Sequence, residues 1–585
     1  MERRKPSNLV TQLKPFQPSN KIFLRMMGSG IFKGGLREPI DGGKWFVLTA
    51  SAAEMATFGN SSMRAMMSTF PEAIVKPFLA KYLRPESLPD GTALFAPYGL
   101  RKVESILVNA YGRENVAVVH PSKLDLFVGP ETEFVGITSM DPLGLAYVGM
   151  TYNPIVGFGG EPVNKVEFLR LMRHPIFKKY HPKKILGGFG IWQVRDLHLQ
   201  EKLGIDLLYM GEAERDLVAV IEKIRHNEPM PKCFKSDKLY EYELVPTITR
   251  ASGHGSVEVM RGCGRRCQFC SPDYRTKYDF PLEHIMREVD LNTKYGCHNV
   301  FLVTEDIFLY GQHARFVPNR EKLCDLFRAL AQHPGVHTIA ISHASLAPVV
   351  VDKHLLEELT PIFIEKSFYK KRGKKYVGVD IGIESGSVRI MKKYLGGKAL
   401  PLSVDDWPDI VVEGTGIMND SDWYPMYTFV LGFPEETDED MLATLELMDR
   451  LKDYKVLFVP LLFIPLEEAV LRNAKKASVQ MMTPLHWEFV MDAWRHNMRM
   501  WAEELKPLVS VMGFFGYGLY SGHIHGHRSI KAIMRFLGMP GMEPIRNVIW
   551  KRCDARYCFP RKSDDKAEAR PSYQGELKII LNPAK

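Results

Sequence analysis

Three cysteines lie within eight positions of one another, at Cys263, Cys267 and Cys270 in the segment RGCGRRCQFC. They directly follow VEVM, an apolar segment typical of a β-strand, so the thiols are expected on a loop at a strand end. Three thiolates leave one iron of a 4Fe-4S cluster without a protein ligand, as a catalytic metal site requires. Zinc is disfavoured because its sites usually combine paired C-x-x-C elements or histidines. The spacing therefore indicates a catalytic iron-sulfur cluster.

With Phe269 directly before the last cysteine, the loop resembles the signature of the radical S-adenosylmethionine (SAM) superfamily, and the resemblance extends over residues 257–466. It implies that the three cysteines hold a 4Fe-4S cluster and that the amino and carboxylate groups of SAM bind the open iron. It also implies that an electron from a donor such as ferredoxin or flavodoxin cleaves SAM to a 5'-deoxyadenosyl radical. That radical would abstract hydrogen from an unactivated carbon of the substrate.

Later segments resemble further elements of the superfamily in the same order. The TED segment follows the second predicted strand, which implies that Glu305 and Asp306 contact the methionyl amine, although the usual Gly-Gly-Glu is absent. GIESGS resembles the ribose-contacting strand and implies Glu384 and Ser385 as polar contacts to SAM. The segment at residues 431–440, LGFPEETDED, resembles the late-strand glycine turn and its following helix.

Short apolar runs alternate with helical patterns between Ala93 and Arg225, which predicts a parallel, doubly wound sheet. Its GGFG and GEAE segments resemble those of the cobalamin-binding domain that precedes many radical SAM cores. This resemblance implies cobalamin as a further cofactor, with Gly187, Gly188 and Gly211 in its binding site. The D-x-H-x-x-G loop that supplies a histidine to cobalt is missing from the expected first strand turn, FAPYGLRK.

The predicted fold class is α/β, with a Rossmann-like parallel sheet domain, a partial (β/α)6 TIM barrel and a helical C-terminal domain. Six apolar segments after Val257 alternate with helical patterns and supply the six βα units of the barrel. The expected boundaries are an N-terminal extension at 1–92, the sheet domain at 93–226, a linker at 227–256, the barrel at 257–468 and the helical domain at 469–585.

The composition is that of a folded protein, with 45% hydrophobic and 25% charged residues among 585. The polar, proline-containing start resembles no secretory signal, and the longest apolar stretch, Leu508 to Tyr520, is too short and too rich in glycine to span a bilayer. Localisation is therefore expected to be cytoplasmic, with peripheral membrane contact. The net charge of +9 is modest, and no nucleic-acid partner is expected.

The segments SHASLAPV, TEDIFLYG and DPLGLAYVG resemble a radical SAM group containing archaeal enzymes that modify tetraether membrane lipids. This resemblance implies carbon-carbon bond formation, by cyclisation or coupling, in an apolar lipid. A cobalamin-dependent methyltransferase acting on a small molecule or peptide is the alternative. The Trp- and Met-rich stripe from Trp487 to Leu505 fits a core helix or an apolar groove. His343 and Ser345 are further candidates for substrate contacts.

Overall fold

A six-stranded parallel sheet forms the first domain of the computed structural model, which describes residues 36–156, 160–271 and 277–501. The helices and strands given below all belong to one compact unit of the chain, which begins at Pro39. The strands of this domain are β1 Phe46–Ala50, β2 Val116–Val118, β3 Phe134–Thr138, β4 Lys183–Gly187, β5 Leu207–Met210 and β6 Cys233–Lys235. Its helices are α1 Ala52–Met55, α2 Ser62–Met66, α3 Glu72–Leu79, α4 Tyr98–Tyr111, α5 Leu124–Phe127, α6 Tyr147–Val156, α7 Val163–Met172, α8 Ile176–Tyr180, α9 Trp192–Asp196 and α10 Leu217–Arg225.

The sheet has the order β2-β1-β3-β4-β5-β6, with every neighbouring pair parallel. The Rossmann-like prediction is confirmed, and the sheet extends beyond the expected range of 93–226 at both ends. β1 lies inside the expected N-terminal extension, where its five residues are all buried between β2 and β3. β6 lies inside the expected linker as a three-residue edge strand. FAPYGLRK, expected as the turn after the first strand, instead runs into α4, which begins at Tyr98.

The second domain is a partial barrel of six parallel strands with two short antiparallel additions. Its strands are β7 Ser256–Glu258, β8 Met260–Arg261, β9 Tyr278–Asp279, β10 Asn299–Val303, β11 Thr338–Ile341, β12 Tyr369–Lys371, β13 Lys374–Tyr376, β14 Asp380–Glu384, β15 Met426–Leu431 and β16 Leu457–Leu462. Its helices are α11 Leu282–Lys294, α12 Arg320–Gln332, α13 Ala347–Val351, α14 Leu355–Phe363, α15 Val388–Ile390, α16 Trp407–Asp420, α17 Asp438–Leu451 and α18 Pro484–Trp501.

The barrel strands run in chain order as β7-β10-β11 and β14-β15-β16. The two halves meet where the Asp380 amide donates to the Ser342 carbonyl at 3.1 Å and the Ala344 amide donates to the Asp380 carbonyl at 3.0 Å. Side chains alternate between the two faces of each strand, so Ile381 and Ile383 pack in the core with the helices. Gly382, which lies between them, and Asp380 and Glu384, which flank them, face the barrel lumen.

The turn after β15 shows why the chain enters a helix there. Gly432 adopts a positive φ of 83°, which glycine tolerates without strain, and its amide donates to the Glu436 side chain at 2.7 Å. Thr437 and Asp440 then form a capping box at the start of α17. The glycine turn and following helix expected within residues 431–440 are therefore present.

The apolar stripe of α18 packs mainly into the core. Trp487 and Val490 are buried against the barrel, and Trp501 is buried beside Tyr376 and Tyr424. A core stripe is the better interpretation of this part of the helix than an open apolar groove. Leu505 and the segment 508–520 lie outside the described residues. No helix in the described part of the chain is long and apolar enough to cross a membrane.

Candidate active site at the barrel mouth

The cysteine loop follows β8 at the carboxyl end of the first barrel strand. Cys267 is buried, whereas Cys263 and Cys270 are half-buried, and none of the three forms a disulfide. The Cys270 amide donates to the Cys267 carbonyl at 3.1 Å, and the Gln268 amide donates to the Tyr394 carbonyl at 2.9 Å. These bonds close a turn and fix the loop against the end of the barrel. The thiols are therefore held at the barrel mouth.

A buried lysine, which the sequence analysis missed, lies beside two of these thiols. Lys398 donates to the Glu384 carboxylate at 2.8 Å and to the Gly382 carbonyl at 2.7 Å. Burial alone would lower the pKa of Lys398, but the nearby Glu384 carboxylate and then the Cys267 and Cys270 thiols raise it above its usual value. A permanent ammonium here stabilises thiolates, the form that binds metal.

Gly382 makes room for this ion pair. A Cβ atom at position 382 would collide with the Glu384 carboxylate and the Lys398 ammonium. Glu384 itself adopts a positive φ of 66°, which is uncommon for a residue other than glycine. The strained backbone turns the buried carboxylate toward Lys398. Glu384 therefore lies at the mouth, and its predicted contact with SAM stays a prediction.

Arg265, inside the cysteine loop, joins that loop to the ends of two other strands. Its Nη2 donates to Asp306 Oδ2 at 3.2 Å and to Ser345 Oγ at 2.9 Å, and Ser345 also donates to Asp306. Its Nη1 donates to the backbone carbonyls of Gly397, Lys398 and Leu400 at 2.9–3.1 Å. Asp306 therefore helps to position the cluster loop. The sequence analysis predicted for Asp306 only a contact with the methionyl amine of SAM.

A tyrosine from the sheet domain closes one side of the mouth. The Tyr147 ring, at the start of α6, packs edge-on against Phe269 with a centroid distance of 6.3 Å. Burial raises the pKa of Tyr147 well above its usual value, and the negative charges of Glu384 and Cys270 add to that rise. Its buried hydroxyl has no hydrogen-bond partner within the described ranges. Nothing in the local sequence pattern identifies this residue.

The GEAE segment after β5 reaches the cluster loop through an ion-pair network. Arg261, two residues before Cys263, pairs with Glu212 at 3.0 Å, Glu214 at 2.8 Å and Glu258 at 2.7 Å. All four side chains are largely buried. Burial lowers the pKa of Arg261, but Glu258 and Glu214 raise it by more, so the guanidinium stays charged. The network ties the carboxyl edge of the sheet to the start of the cluster loop.

The glycines predicted to bind a cofactor make close contacts with protein. Gly188 has a φ of 97°, and a Cβ there would lie 2.6 Å from the Ser139 carbonyl. Gly211 has a φ of 95°, and a Cβ there would collide with Ser236. Gly187 ends β4, and its Cβ position is 3.7 Å from the Tyr209 carbonyl. Packing therefore explains Gly188 and Gly211, whereas a side chain at Gly187 would make only an ordinary contact. The role of all three glycines in cofactor binding stays a prediction.

Two other predicted residues occupy contrasting positions. Ser385 is buried; its hydroxyl lies 3.3 Å from the Thr444 hydroxyl and accepts from the Ser387 amide at 3.1 Å. It therefore stabilises the turn after β14, and its contact with SAM stays a prediction. Glu305 is half-buried at the end of β10, beside Asp306.

A polar pair lines the lumen below the mouth. His343 and Asp380 are bridge partners on adjoining strands. Solvent reaches both side chains, and the surrounding protein still desolvates both groups. Burial lowers the pKa of His343, as does Lys398, against opposing effects of the Thr304 backbone and Asp306. Burial raises the pKa of Asp380 to about 7.

The family model described as the radical SAM superfamily matches residues 257–448, which include the cysteine loop and the barrel strands through β15. Residues 257–448 are a radical SAM domain. The superfamily uses a 4Fe-4S cluster and SAM, so these are the cofactors of this domain. The matched range begins at Val257, where the predicted resemblance also begins.

Curated relatives of the radical SAM domain include two kinds of methylthiotransferase. The tRNA-2-methylthio-N(6)-dimethylallyladenosine synthase of Fusobacterium nucleatum is 26% identical over 275 residues, covering 46% of this chain and 57% of the relative. The ribosomal protein uS12 methylthiotransferase of Psychrobacter is 25% identical over 254 residues, covering 40% and 44%. The chain spans about half the length of the curated relatives it matches.

Among solved structures, the radical SAM methyltransferase TsrM from Kitasatospora setae, with tryptophan and a SAM analogue bound, has a TM-score of 0.47 at 14% identity. The alignment covers 74% of this chain and 76% of TsrM.

The side chains at the mouth of the radical SAM domain fit a cluster and SAM. Three soft thiol donors beside the Lys398 ammonium match the ligands of an iron-sulfur cluster. Asp306 Oδ1 and Arg265 Nε are buried and have no hydrogen-bond partner in the part of the chain that the structure describes. A ligand carrying both ammonium and carboxylate groups supplies partners of the required kinds for these two atoms. SAM is such a ligand.

Proposed function

We propose that the protein cleaves SAM reductively and uses the resulting 5'-deoxyadenosyl radical to abstract hydrogen from an unactivated carbon of a substrate in the barrel lumen. The observation that carries this proposal is the position of three cysteine thiols, none in a disulfide, at the mouth of a six-stranded partial barrel. A 4Fe-4S cluster bound there supplies the electron and an open iron position for SAM. The electron comes from a reducing protein such as ferredoxin or flavodoxin.

In this proposal Cys263, Cys267 and Cys270 bind the cluster, and Lys398 stabilises their thiolate forms. The Arg265–Asp306 pair holds the loop at the mouth, and the open Oδ1 acceptor of Asp306 binds the SAM ammonium. Burial of these groups strengthens their electrostatic interactions because the local dielectric constant is low. These residues therefore bind and orient SAM.

The proposed reaction consumes one electron and one SAM for each hydrogen atom abstracted. One electron and one SAM give methionine and the 5'-deoxyadenosyl radical, which takes a hydrogen atom from the substrate and leaves as 5'-deoxyadenosine. Two substrate carbon radicals formed in this way can join, and each new carbon-carbon bond then removes two hydrogen atoms. Each bond formed by such coupling consumes two SAM molecules and two electrons.

For the product-forming step we propose carbon-carbon bond formation in an apolar lipid. This proposal draws on apolar side chains of β10 and β16 that alternate with those of the main core cluster and are not part of it, among them Phe301, Val303, Val459 and Leu461. The buried stripe of α18 adds no support to it, because Trp487 and Val490 belong to the core. Peripheral membrane contact and the absence of a nucleic-acid partner likewise stay predictions.

Methyl transfer with cobalamin is the second candidate. The observation that favours it is the parallel sheet, whose carboxyl edge is joined to the cluster loop by the Arg261 ion pairs. Open parallel sheets bind ligands outside the carboxyl ends of their strands. Cobalamin at this edge would act as the methyl carrier beside the barrel mouth.

The test of the proposed function is formation of 5'-deoxyadenosine from SAM by anaerobically reconstituted protein with dithionite. The triple variant C263A/C267A/C270A should lose both the cluster, about four irons per chain, and the product. Cys233→Ala is the matched control, because Cys233 is half-buried in the sheet domain and should not affect either. Wild-type protein that carries the cluster but forms no 5'-deoxyadenosine would contradict the proposal.

The two product-forming steps are distinguished by lipid profiles of the host with and without the gene. Loss of products that differ by hydrogen pairs at constant carbon number would support carbon-carbon bond formation. Loss of methyl-bearing products would support methyl transfer. An unchanged lipid profile under conditions of expression would contradict a lipid substrate.

A further inference from the structure

Asp380 and His343 are polar lumen residues that the proposed SAM chemistry does not use. They lie on adjoining strands as bridge partners, so their side chains project to the same face of the barrel. Asp380 shares this face with Gly382 and Glu384, because Ile381 and Ile383 between them pack in the outer core. The pair therefore lies on the same face of the barrel strands as Gly382 and Glu384.

The Asp380 carboxyl has no hydrogen-bond or ion-pair partner among residues 36–156, 160–271 and 277–501. Burial is the one influence on its pKa, with no charge or hydrogen bond opposing it. A carboxylate that is partly desolvated and has no partner is unfavourable for the folded protein. An unpartnered carboxylate of this kind is expected at a binding site, where a bound ligand supplies the missing hydrogen-bond donor, because binding sites are commonly less stable than the rest of a protein.

His343 adds a second polar group to this position. Its lowered pKa keeps the imidazole neutral near pH 7, so the ring offers one N–H donor and one acceptor nitrogen. The charged groups that influence it, Lys398 and Asp306, lie toward the barrel mouth. Asp380 therefore supplies negative charge, and His343 supplies directional hydrogen bonds.

The spacing of residues along β14 sets the distance from Asp380 to the barrel mouth, where hydrogen abstraction is proposed to occur. Asp380 is two residues from Gly382, which corresponds to a rise of about 7 Å along the strand. Gly382 contacts Lys398, and Lys398 lies beside the cluster thiols. A group bound at Asp380 is therefore a few bonds from a carbon placed at the mouth for hydrogen abstraction.

We propose that Asp380 and His343 form a substrate-binding subsite for an N–H donor group, and that a protonated amine close to the reacting carbon is its ligand. This inference rests on the proposed function for the position of the reacting carbon. The subsite restricts the substrate to molecules with an apolar skeleton and one amine close to the reacting carbon. A lipid fits this subsite only if its amine-bearing head group lies beside the reacting carbon.

The subsite can be probed with n-butylammonium, which joins a cation to a short apolar chain, and with 1-butanol as its neutral counterpart. Saturation-transfer difference NMR at about pH 8, where Asp380 is ionised, reports weak binding of such small molecules. The full-length holoprotein should bind n-butylammonium more tightly than 1-butanol. Asp380→Asn should weaken n-butylammonium binding by at least about tenfold, because a charge-assisted hydrogen bond is lost.

Asp453→Asn is the matched control, because Asp453 is an exposed carboxylate outside the lumen, and it should bind the amine as wild type does. His343→Phe is the second variant, which should weaken binding while Asp380 is kept. Equal binding of both probes by wild type, or equal n-butylammonium binding by wild type and Asp380→Asn, would overturn the subsite.

The proposed function and the subsite fail in different ways. Wild-type protein that forms 5'-deoxyadenosine but shows no Asp380-dependent amine binding would overturn the subsite and leave the proposed function standing. Protein with Asp380-dependent amine binding that does not cleave SAM would support the subsite and contradict the proposed function.

Discussion

Replacing Asp380 with asparagine should stabilise the protein at alkaline pH. The folded-state pKa of Asp380, about 7, lies about three above the ordinary value of 3.8 because burial disfavours the charged form. At about 1.4 kcal/mol per unit, the ionised carboxylate destabilises the fold by up to about 4 kcal/mol. Because solvent reaches part of the side chain, about 2 kcal/mol is the more realistic magnitude. Asparagine has a similar shape and carries no charge.

The sign of the pH dependence follows from the raised pKa. The folded protein holds its proton more tightly than the unfolded chain does. Stability from Asp380 is therefore fully present below about pH 4 and is lost as pH rises through about 7. Asp380→Asn lacks this loss, so its advantage over wild type should be small at about pH 4 and largest above about pH 8.

Urea unfolding of the holoprotein, followed by tryptophan fluorescence across this pH range, measures the effect. The difference in unfolding free energy between Asp380→Asn and wild type should grow with pH, whereas Asp453→Asn should show no such trend. A constant difference from acid to alkaline pH would refute the reasoning, because it would mean that Asp380 titrates normally in the folded protein.

Two further predictions concern the charges around the cluster loop. Lys398→Met leaves Glu384 buried without its cation, so it should destabilise the protein by about 3–5 kcal/mol in unfolding experiments and lower the iron content. Lys392→Met, at an exposed ion pair, is the control and should change neither stability nor iron content. Arg261→Met should destabilise by a similar about 3–5 kcal/mol, and adding Glu214→Gln should recover part of this loss in a double-mutant cycle. Additive effects of the two substitutions would contradict the ion-pair network.

The strands that sequence analysis identified are those with long apolar runs. β10, β15 and β16 each combine an apolar core with a following polar turn, so their positions could be predicted. β1 was missed because its FVLTA run is short and passes directly into the small residues of α1. β6 carries no apolar run, because it is a three-residue edge strand.

The candidate site was predictable where its residues are close in sequence. The three cysteines stood out by their spacing, and the residues at the ends of β10 and β14 by the resemblance of their segments to the superfamily. Lys398, Arg265 and Tyr147 could not be identified in this way. Lys398 and Tyr147 are far from the cysteines in sequence, and Arg265, although it lies in the cysteine loop, has its partners at Asp306 and Ser345 on other strand ends. A single lysine, arginine or tyrosine has no local pattern that marks it.

The central claim is that the three cysteines leave one iron open for SAM. Electron–nuclear double resonance of the reduced protein with SAM labelled with 15N at its amino group tests this claim most directly. Binding of the amine to the open iron predicts a 15N hyperfine coupling to the cluster. This 15N coupling should disappear when unlabelled SAM replaces the labelled SAM. Stoichiometric SAM binding to an intact, reduced cluster without any 15N coupling would contradict the account.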